Sequence, residues 1–323
     1  MLTLETTDFG YLGSGLVRPE CIVATAAGAV FASHGGAPGG IARIGDDGES
    51  ELILARNGDI PGDFIPNGYA LMPDGSFVIA NVGSDGGVYR LHRDGTLEAF
   101  LLEIDGRTLP ACNFVNRDEE GRIWISVSTW FRDRDRALRR GHADGFVILV
   151  DERGARIAVD GIGYTNENKL HPSGRWLYVH ETVGRSICRF ELGTNGRLGP
   201  RETVAEYGPG IFPDGFEFDA EGGIWCTSVV TNRIVRISPE GDEQLVYDDA
   251  DPELAERAQA AWESDSFGRD LLNAGHDHPL GNCASICFAG PDLRTCMIGS
   301  LAASRIATFR SPIAGARPPH WSF

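Results

Sequence analysis

Arg117-Asp118-Glu119-Glu120-Gly121-Arg122-Ile123-Trp124-Ile125 reads as a tight turn followed by a short apolar run carrying an aromatic residue. The same unit recurs. Copies turn at Ala27-Gly28, Asp74-Gly75, Ser173-Gly174 and Glu221-Gly222, and a weaker sixth turns at Asp292-Leu293. The second turn residues are separated by 47, 46, 53, 48 and 71 positions. Most units add a third run, such as Gly87–Leu91, Gly145–Val150 or Asn232–Ile237, and a fourth after another turn, clearest at Asp94-Gly95 followed by Thr96–Phe100. About four short β-rich runs per unit, with glycine turns between them, match one propeller blade. A β-sandwich would explain short strands but not six copies of one pattern. The fold predicted is all-β, a six-bladed β-propeller forming one domain over 1–323, with the N-terminal strand, around Leu2 to Thr6, closing the last blade.

Composition agrees. A chain of 323 residues with 42 glycines, 17 prolines and 42 % hydrophobic residues can bury a core and is rich in turns. Its net charge of −17 repels phosphate backbones, which argues against a nucleic-acid partner, and no apolar stretch approaches membrane-span length. The seven cysteines are scattered, with no Cys-x-x-Cys pair, and read as free buried thiols. No basic-then-apolar leader opens the chain, so a cytoplasmic location is expected, as a monomer or homodimer. Two insertions interrupt the repeat. Pro252–Trp262 has proline at its start and helix formers after it, with Leu254, Ala258, Ala261 and Trp262 on one side; it predicts a short helix before the last blade, packed over one face. Phe131–Ala143 lies between strands of the third blade.

Position within the repeat carries the functional signal. Eight residues before each second turn residue stand Glu20, Asn67, Asn113, Asn166, Asp214 and Ser285. Each should enter the innermost strand of its blade, so the six converge on the axis. All are polar, none is positive, and five are carboxylates or carboxamides. That is an oxygen set for one hard divalent cation. The competing reading is that Asn and Asp before Gly simply make turns, which covers Asn67 and Asp214 but not Glu20 or Asn113.

These residues resemble the gluconolactonase, senescence-marker and luciferin-regenerating-enzyme propellers. The resemblance rests on Arg18-Pro19-Glu20, Asn113 ahead of Arg117–Trp124, Thr165-Asn166 ahead of Arg175–Tyr178, Phe212–Trp225 and Cys287–Arg294. It implies that Glu20, Asn166 and Asp214 bind the metal, Ca²⁺ first with Zn²⁺, Mn²⁺ or Mg²⁺ as alternatives, that Asn113 contributes to metal or substrate, and that a lactone is opened. The chain departs from the family pattern at Glu167, where glycine is usual, at Phe114-Val115, where Asp-Gly is usual, and at Ala111, where a substrate-holding arginine is usual. These departures count against a simple aldonolactone.

The mechanism expected is a metal-dependent hydrolase acting on a lactone or related cyclic ester. Asp214 serves as ligand and general base, and Glu167 is a second carboxylate that could be a catalytic acid–base group, an additional ligand or a solvated loop residue. Asn113, Asn67, Trp130 and His276 are expected to contact substrate. His276-Asp277-His278 invites a zinc reading but offers no third ligand nearby. His180-Glu181 places one side chain inward, without saying which. The loop Arg132–Arg140 could recruit an anionic substrate. Gly-x-x-x-x-Gly-Lys-Ser/Thr and Gly-x-Ser-x-Gly are both absent. Two alternatives stand: a metal-assisted isomerase or lyase on the same propeller, and a binding propeller with a structural cation.

Overall fold

The first two strands of each repeat pair as an antiparallel hairpin about the signature turn, and that hairpin forms the inner half of a blade. The computed structural model describes residues 2–45 and 47–323. Six sheets of four or five strands form six blades, and a two-residue-strand hairpin at 103–108 links blades 2 and 3. The innermost strands are Ile22–Ala24, Pro66–Leu71, Cys112–Arg117, Thr165–Leu170, Phe212–Phe218 and Cys283–Ala289. Consecutive blades touch along these strands, and blade 6 meets blade 1 to close the ring.

Why the runs are apolar throughout, and not alternating, follows from the packing. Each sheet is covered on both faces, and six separate buried clusters fill the six gaps between blades. The signature turn is locked twice. Asp118 accepts the Arg122 amide at 2.9 Å and the Trp124 indole N–H at 2.9 Å, while Asp219 accepts the Gly223 amide at 2.8 Å and the Trp225 indole at 2.9 Å. The weak sixth copy also has a cause. In five turns the second residue is glycine at φ 70–87°, whereas Leu293 takes a left-handed φ of 53° itself.

Closure of the last blade by the N-terminus occurs, but not with the predicted residues. Gly10–Leu12 pairs antiparallel with Ile306–Arg310 as the outer strand of blade 6. Residues 2–9 cross over from blade 5. The Leu4 amide donates to Val246 O, Thr6–Asp8 wind into a 3₁₀ turn, and Leu4 and Phe9 bury in the cluster between blades 5 and 6.

The predicted helix is Pro252–Glu263, with Asp251 accepting the Glu253 and Leu254 amides at its start. Leu254 and Ala258 are buried, with Ala261 and Trp262 packed beside them. The blade-3 insertion forms a 3₁₀ turn, Arg134–Ala137, and joins the helical insertion in one apolar cluster. All seven cysteines are free and buried. Among the described residues no helix is long and apolar enough to cross a membrane.

Candidate functional site

Five of the six register positions sit at the start of an innermost strand, at or beside a β-bulge. The pairing register shifts between Pro66 and Tyr69, Cys112 and Phe114, Thr165 and Asn168, Pro213 and Phe216, and Cys283 and Ser285. Such a bulge re-aims a side chain that regular pleating would turn into the sheet. Glu20 lies just before Ile22–Ala24. All six residues are buried, between 1 % and 7 % exposed.

This placement bears on the turn reading. Asn67 and Asp214 lie in strands, and the glycines after them do not have left-handed backbones. Gly68 and Gly215 are needed for another reason: the next blade is too near. A Cβ at Gly68 would collide with the Phe114 ring, and one at Gly215 would stand 2.7 Å from Ala284 O and 2.8 Å from Glu167 Oε1.

The mouth is tied together around the ring. Asn67 Nδ2 donates to Glu20 Oε1 and to Asn113 O, both at 2.8 Å. Asn166 Nδ2 donates to Thr182 Oγ1 at 2.9 Å, Thr182 Oγ1 donates in turn to Pro213 O at 2.8 Å, and Ser285 Oγ donates to Glu20 O. The amide nitrogens of Asn67 and Asn166 are thus spent in holding the ring. Asn113 Oδ1 is buried with no hydrogen-bond partner. Glu20 Oε2 stands 2.5 Å from Arg18 Nη1, outside hydrogen-bond line. Burial, then the charges of Glu20 and Glu167, push the Asp214 carboxyl well above its ordinary range. Clustered buried oxygens with unspent lone pairs fit a hard cation. Among the described residues no three His, Cys, Asp or Glu side chains form a metal cluster. The set at the mouth is instead mixed, two carboxylates with carboxamides.

Glu167 and Lys169 line the channel beneath Asn166. Lys169 Nζ lies 3.4 Å from Glu167 Oε2 and 2.9 Å from Glu217 Oε2, and Glu167 also accepts the Phe216 amide at 3.1 Å. Burial raises the Glu167 carboxyl to about 7 despite Lys169. Burial alone would lower the Lys169 ammonium, but Glu167 and Glu217 hold it above its usual range. A cavity of about 170 Å³ extends from here to the far end of the channel, where Ala316–His320 cross it.

The other expected site residues separate. His276 is exposed at the mouth, close enough to Arg18 to feel its charge, while His278 turns away to Asp249 at 3.3 Å. Trp130 stacks on Phe146 at 4.3 Å between ring centroids, and the Arg107 guanidinium covers it at 3.7 Å, so its ring is engaged between blades 2 and 3. His180 is the inward residue of its pair. Its Nδ1 bonds the Asp214 carbonyl at 2.9 Å, and its Nε2 bonds Tyr207 Oη at 2.7 Å. A carbonyl only accepts, so Nδ1 carries the proton and Nε2 takes one from tyrosine. Burial lowers its pKa to about 3, which keeps the ring neutral.

Sequence reading missed Arg18, Thr182, Lys169 and Glu217 as parts of the site. Arg18 bridges Glu20 and Asn67, donating to Asn67 Oδ1 at 2.6 Å. Its signal was available, since it stands two residues before a register position. Thr182 and Glu217 reach the site from outside the register and left none.

Residues 39–248 match the SMP-30/Gluconolactonase/LRE-like region. A 6-deoxy-6-sulfogluconolactonase of Pseudomonas putida is 29 % identical over 177 residues, which is 54 % of this chain and 57 % of that protein. The chain therefore spans little more than half the length of this curated relative. Among solved structures, a gluconolactonase of Xanthomonas campestris is 17 % identical, covers 94 % of this chain and 88 % of its own, and superposes with a TM-score of 0.65. A calcium-binding protein, regucalcin, of Agrobacterium tumefaciens is 16 % identical, with 97 % and 99 % covered and a TM-score of 0.68. These two likenesses are of fold. With the matched region spanning most of the blades and the register residues ringing their common axis, the chain belongs to the SMP-30/Gluconolactonase/LRE-like family.

Proposed function

We propose that this chain is a metal-assisted hydrolase opening a lactone or related cyclic ester. The observation that carries the reading is the buried ring of oxygens, with Asn113 Oδ1 unpartnered, on a chain of this family. Glu20, Asn113, Asn166 and Asp214 would hold one divalent cation, calcium first because every donor is a hard oxygen. The Pseudomonas putida relative is named for a sulfonated gluconolactone, and the Agrobacterium tumefaciens neighbour is titled calcium-binding; both support the reading.

When bound, such a cation supplies a Lewis acid for the lactone carbonyl and acidifies water. The rest falls to the chain. Asp214 Oδ would accept the proton of the attacking water, because it is the carboxylate of the ring whose strand His180 pins from behind. Glu20, contacting Arg18 and accepting from Asn67 Nδ2, would be a ligand only. Asn113 and Asn166 contribute neutral oxygens, limiting the negative charge that a tetrahedral oxyanion must meet. Glu167, within electrostatic reach of Asp214 and beside Lys169, would pass on the proton. That placement also supports a second reading, a proton-moving isomerase or lyase that consumes no water.

The test is hydrolysis of a lactone panel by metal-stripped protein, with Ca²⁺, Mg²⁺, Mn²⁺ and Zn²⁺ restored separately. Asp214→Asn should lower kcat by about 100-fold or more with the circular dichroism spectrum unchanged. Wild-type turnover in that variant would remove the assigned base. Metal binding without ring opening, together with an isomerised or eliminated product, would favour the second reading.

A further inference from the structure

Two insertions that are far apart in sequence meet over the mouth, and arginine dominates where they meet. Arg139 Nη1 donates to Phe267 O at 2.5 Å, Arg269 Nε donates to Asp135 Oδ1 at 2.8 Å, and Arg140 lies over the Trp262 ring at 4.8 Å. Between the insertions and the blade-2 segment Val82–Ser84 lies a cavity of about 310 Å³, whose charged lining is Arg132, Arg134 and Arg269 with Asp133 and Asp135. Ala111 forms part of its wall, two residues before Asn113, so the cavity adjoins the oxygen ring. Arg134 sits within electrostatic reach of Arg18 and Glu20 at that ring.

The pairing of these arginines is incomplete. Asp135 is taken by Arg269, whose Nη2 also donates to Tyr164 Oη at 3.2 Å. Asp133 is exposed and accepts the Asp135 amide. Arg132 reaches only Ser84 O, at 3.3 Å. Arg134 is half-buried and makes one long hydrogen bond, to Val82 O at 3.4 Å; among the described residues no carboxylate lies within 4.0 Å of it. Arg93 and Arg107 also lack carboxylate partners, but each covers an aromatic ring. Arg134 covers none. A guanidinium has five donors in a planar fork matched to an oxyanion, and shielding one from water without a partner costs free energy that a bound anion recovers. In a chain of net charge −17, this is an electropositive chamber at the entrance to the site.

We infer that the molecule this mouth accepts carries an oxyanion substituent, a carboxylate, sulfonate or phosphate, gripped by Arg134 with Arg132 and Arg269 beside it. The inference rests on the proposed hydrolase reading for the fate of the lactone ring, but not for the binding of the anion. The small side chain of Ala111 leaves the space into which the substituent passes.

The experiment compares D-glucono-1,5-lactone with the same ring bearing phosphate or carboxylate at C6, using the metal-loaded enzyme and its Arg134→Gln and Arg134→Lys variants. The anionic lactones should have kcat/KM at least ~10-fold above the neutral one, and Arg134→Gln should collapse that ratio by ~10-fold or more. Arg134→Lys should recover part of it, and 0.5 M salt should shrink it. Comparing the phosphate and carboxylate arms ranks the anion. An unchanged ratio in Arg134→Gln, with hydrolysis proceeding, overturns the inference and leaves the hydrolase standing. If no lactone is opened, the hydrolase reading fails alone, and calorimetry of 6-phosphogluconate against gluconate decides the anion. Wild type should bind the phosphorylated acid ~10-fold tighter and Arg134→Gln should not; equal affinities overturn it.

Discussion

His180 shows how a buried ring can set the position of a residue proposed to do chemistry. Its ring is fully buried, donates to the backbone carbonyl of Asp214 and accepts from Tyr207, so the strand carrying the proposed base is held from behind. The folded protein keeps this imidazole neutral down to about pH 3, while an unfolded chain protonates it near 6.5. Below 6.5 the unfolded state therefore binds a proton that the folded state refuses. The stability contributed by neutral His180 is complete above 6.5 and is lost as pH falls towards 3, the loss reaching on the order of 5 kcal/mol at the acid end. Urea unfolding of metal-stripped protein at stepped pH should show this loss, and His180→Gln should reduce it, leaving the part due to His320, which burial also lowers to about 3. Parallel curves for the two proteins would show that the imidazole is not what acid attacks. The same scale explains Trp130 and His278. Each has the right chemistry for a site, but Trp130 is held between Phe146 and Arg107, and His278 turns to Asp249.

At the scale of elements, the lid and the blades are separable. Helix Pro252–Glu263 touches the propeller through Leu254, Ala258 and Trp262, whose indole donates to Val183 O at 2.8 Å, and through Gln259, which accepts from Arg185 at 2.7 Å. It belongs to none of the six clusters between blades. Truncating Trp262→Ala should therefore loosen the lid without unfolding the ring, because local opening draws on few buried contacts. Amide exchange over residues 252–272 should rise by at least ~10-fold while the innermost strands stay protected. Uniform deprotection throughout the chain would mean that helix and ring unfold as one unit.

For the whole molecule, closure is the decisive event. Blade 6 is built from both ends of the chain, three strands from residues 283–310 and one from Gly10–Leu12. Deleting residues 2–12 would strip an edge from Ile306–Arg310 and remove Leu4 and Phe9 from the cluster between blades 5 and 6. An exposed edge strand is a template for pairing with another chain. The truncated protein should melt at least ~5 °C lower and scatter light as it associates, where the full chain does not. A monodisperse truncation with an unchanged melting curve would show that the ring closes without its outermost strand.

Blade number, the inner-strand register and the helical insertion could be read from the amino-acid order because each is a local pattern repeated or interrupted. Turn chemistry, an apolar run and a polar residue at constant offset recur in nearly every blade, and symmetry about the axis converts equal offset into equal position. The wrong strand was expected to close blade 6 because Leu2–Thr6 and Gly10–Leu12 are both short and extended in composition; only the partner offered by Ile306–Arg310 distinguishes them. Tertiary structure alone decided the rest of the site. The Arg18 bridge, the Thr182 relay, the Glu167–Lys169–Glu217 group and the arginine-lined chamber join residues from different blades and insertions. Contacts of that kind depend on how separate segments are brought to one axis, a property of the closed ring and of no single stretch of its sequence.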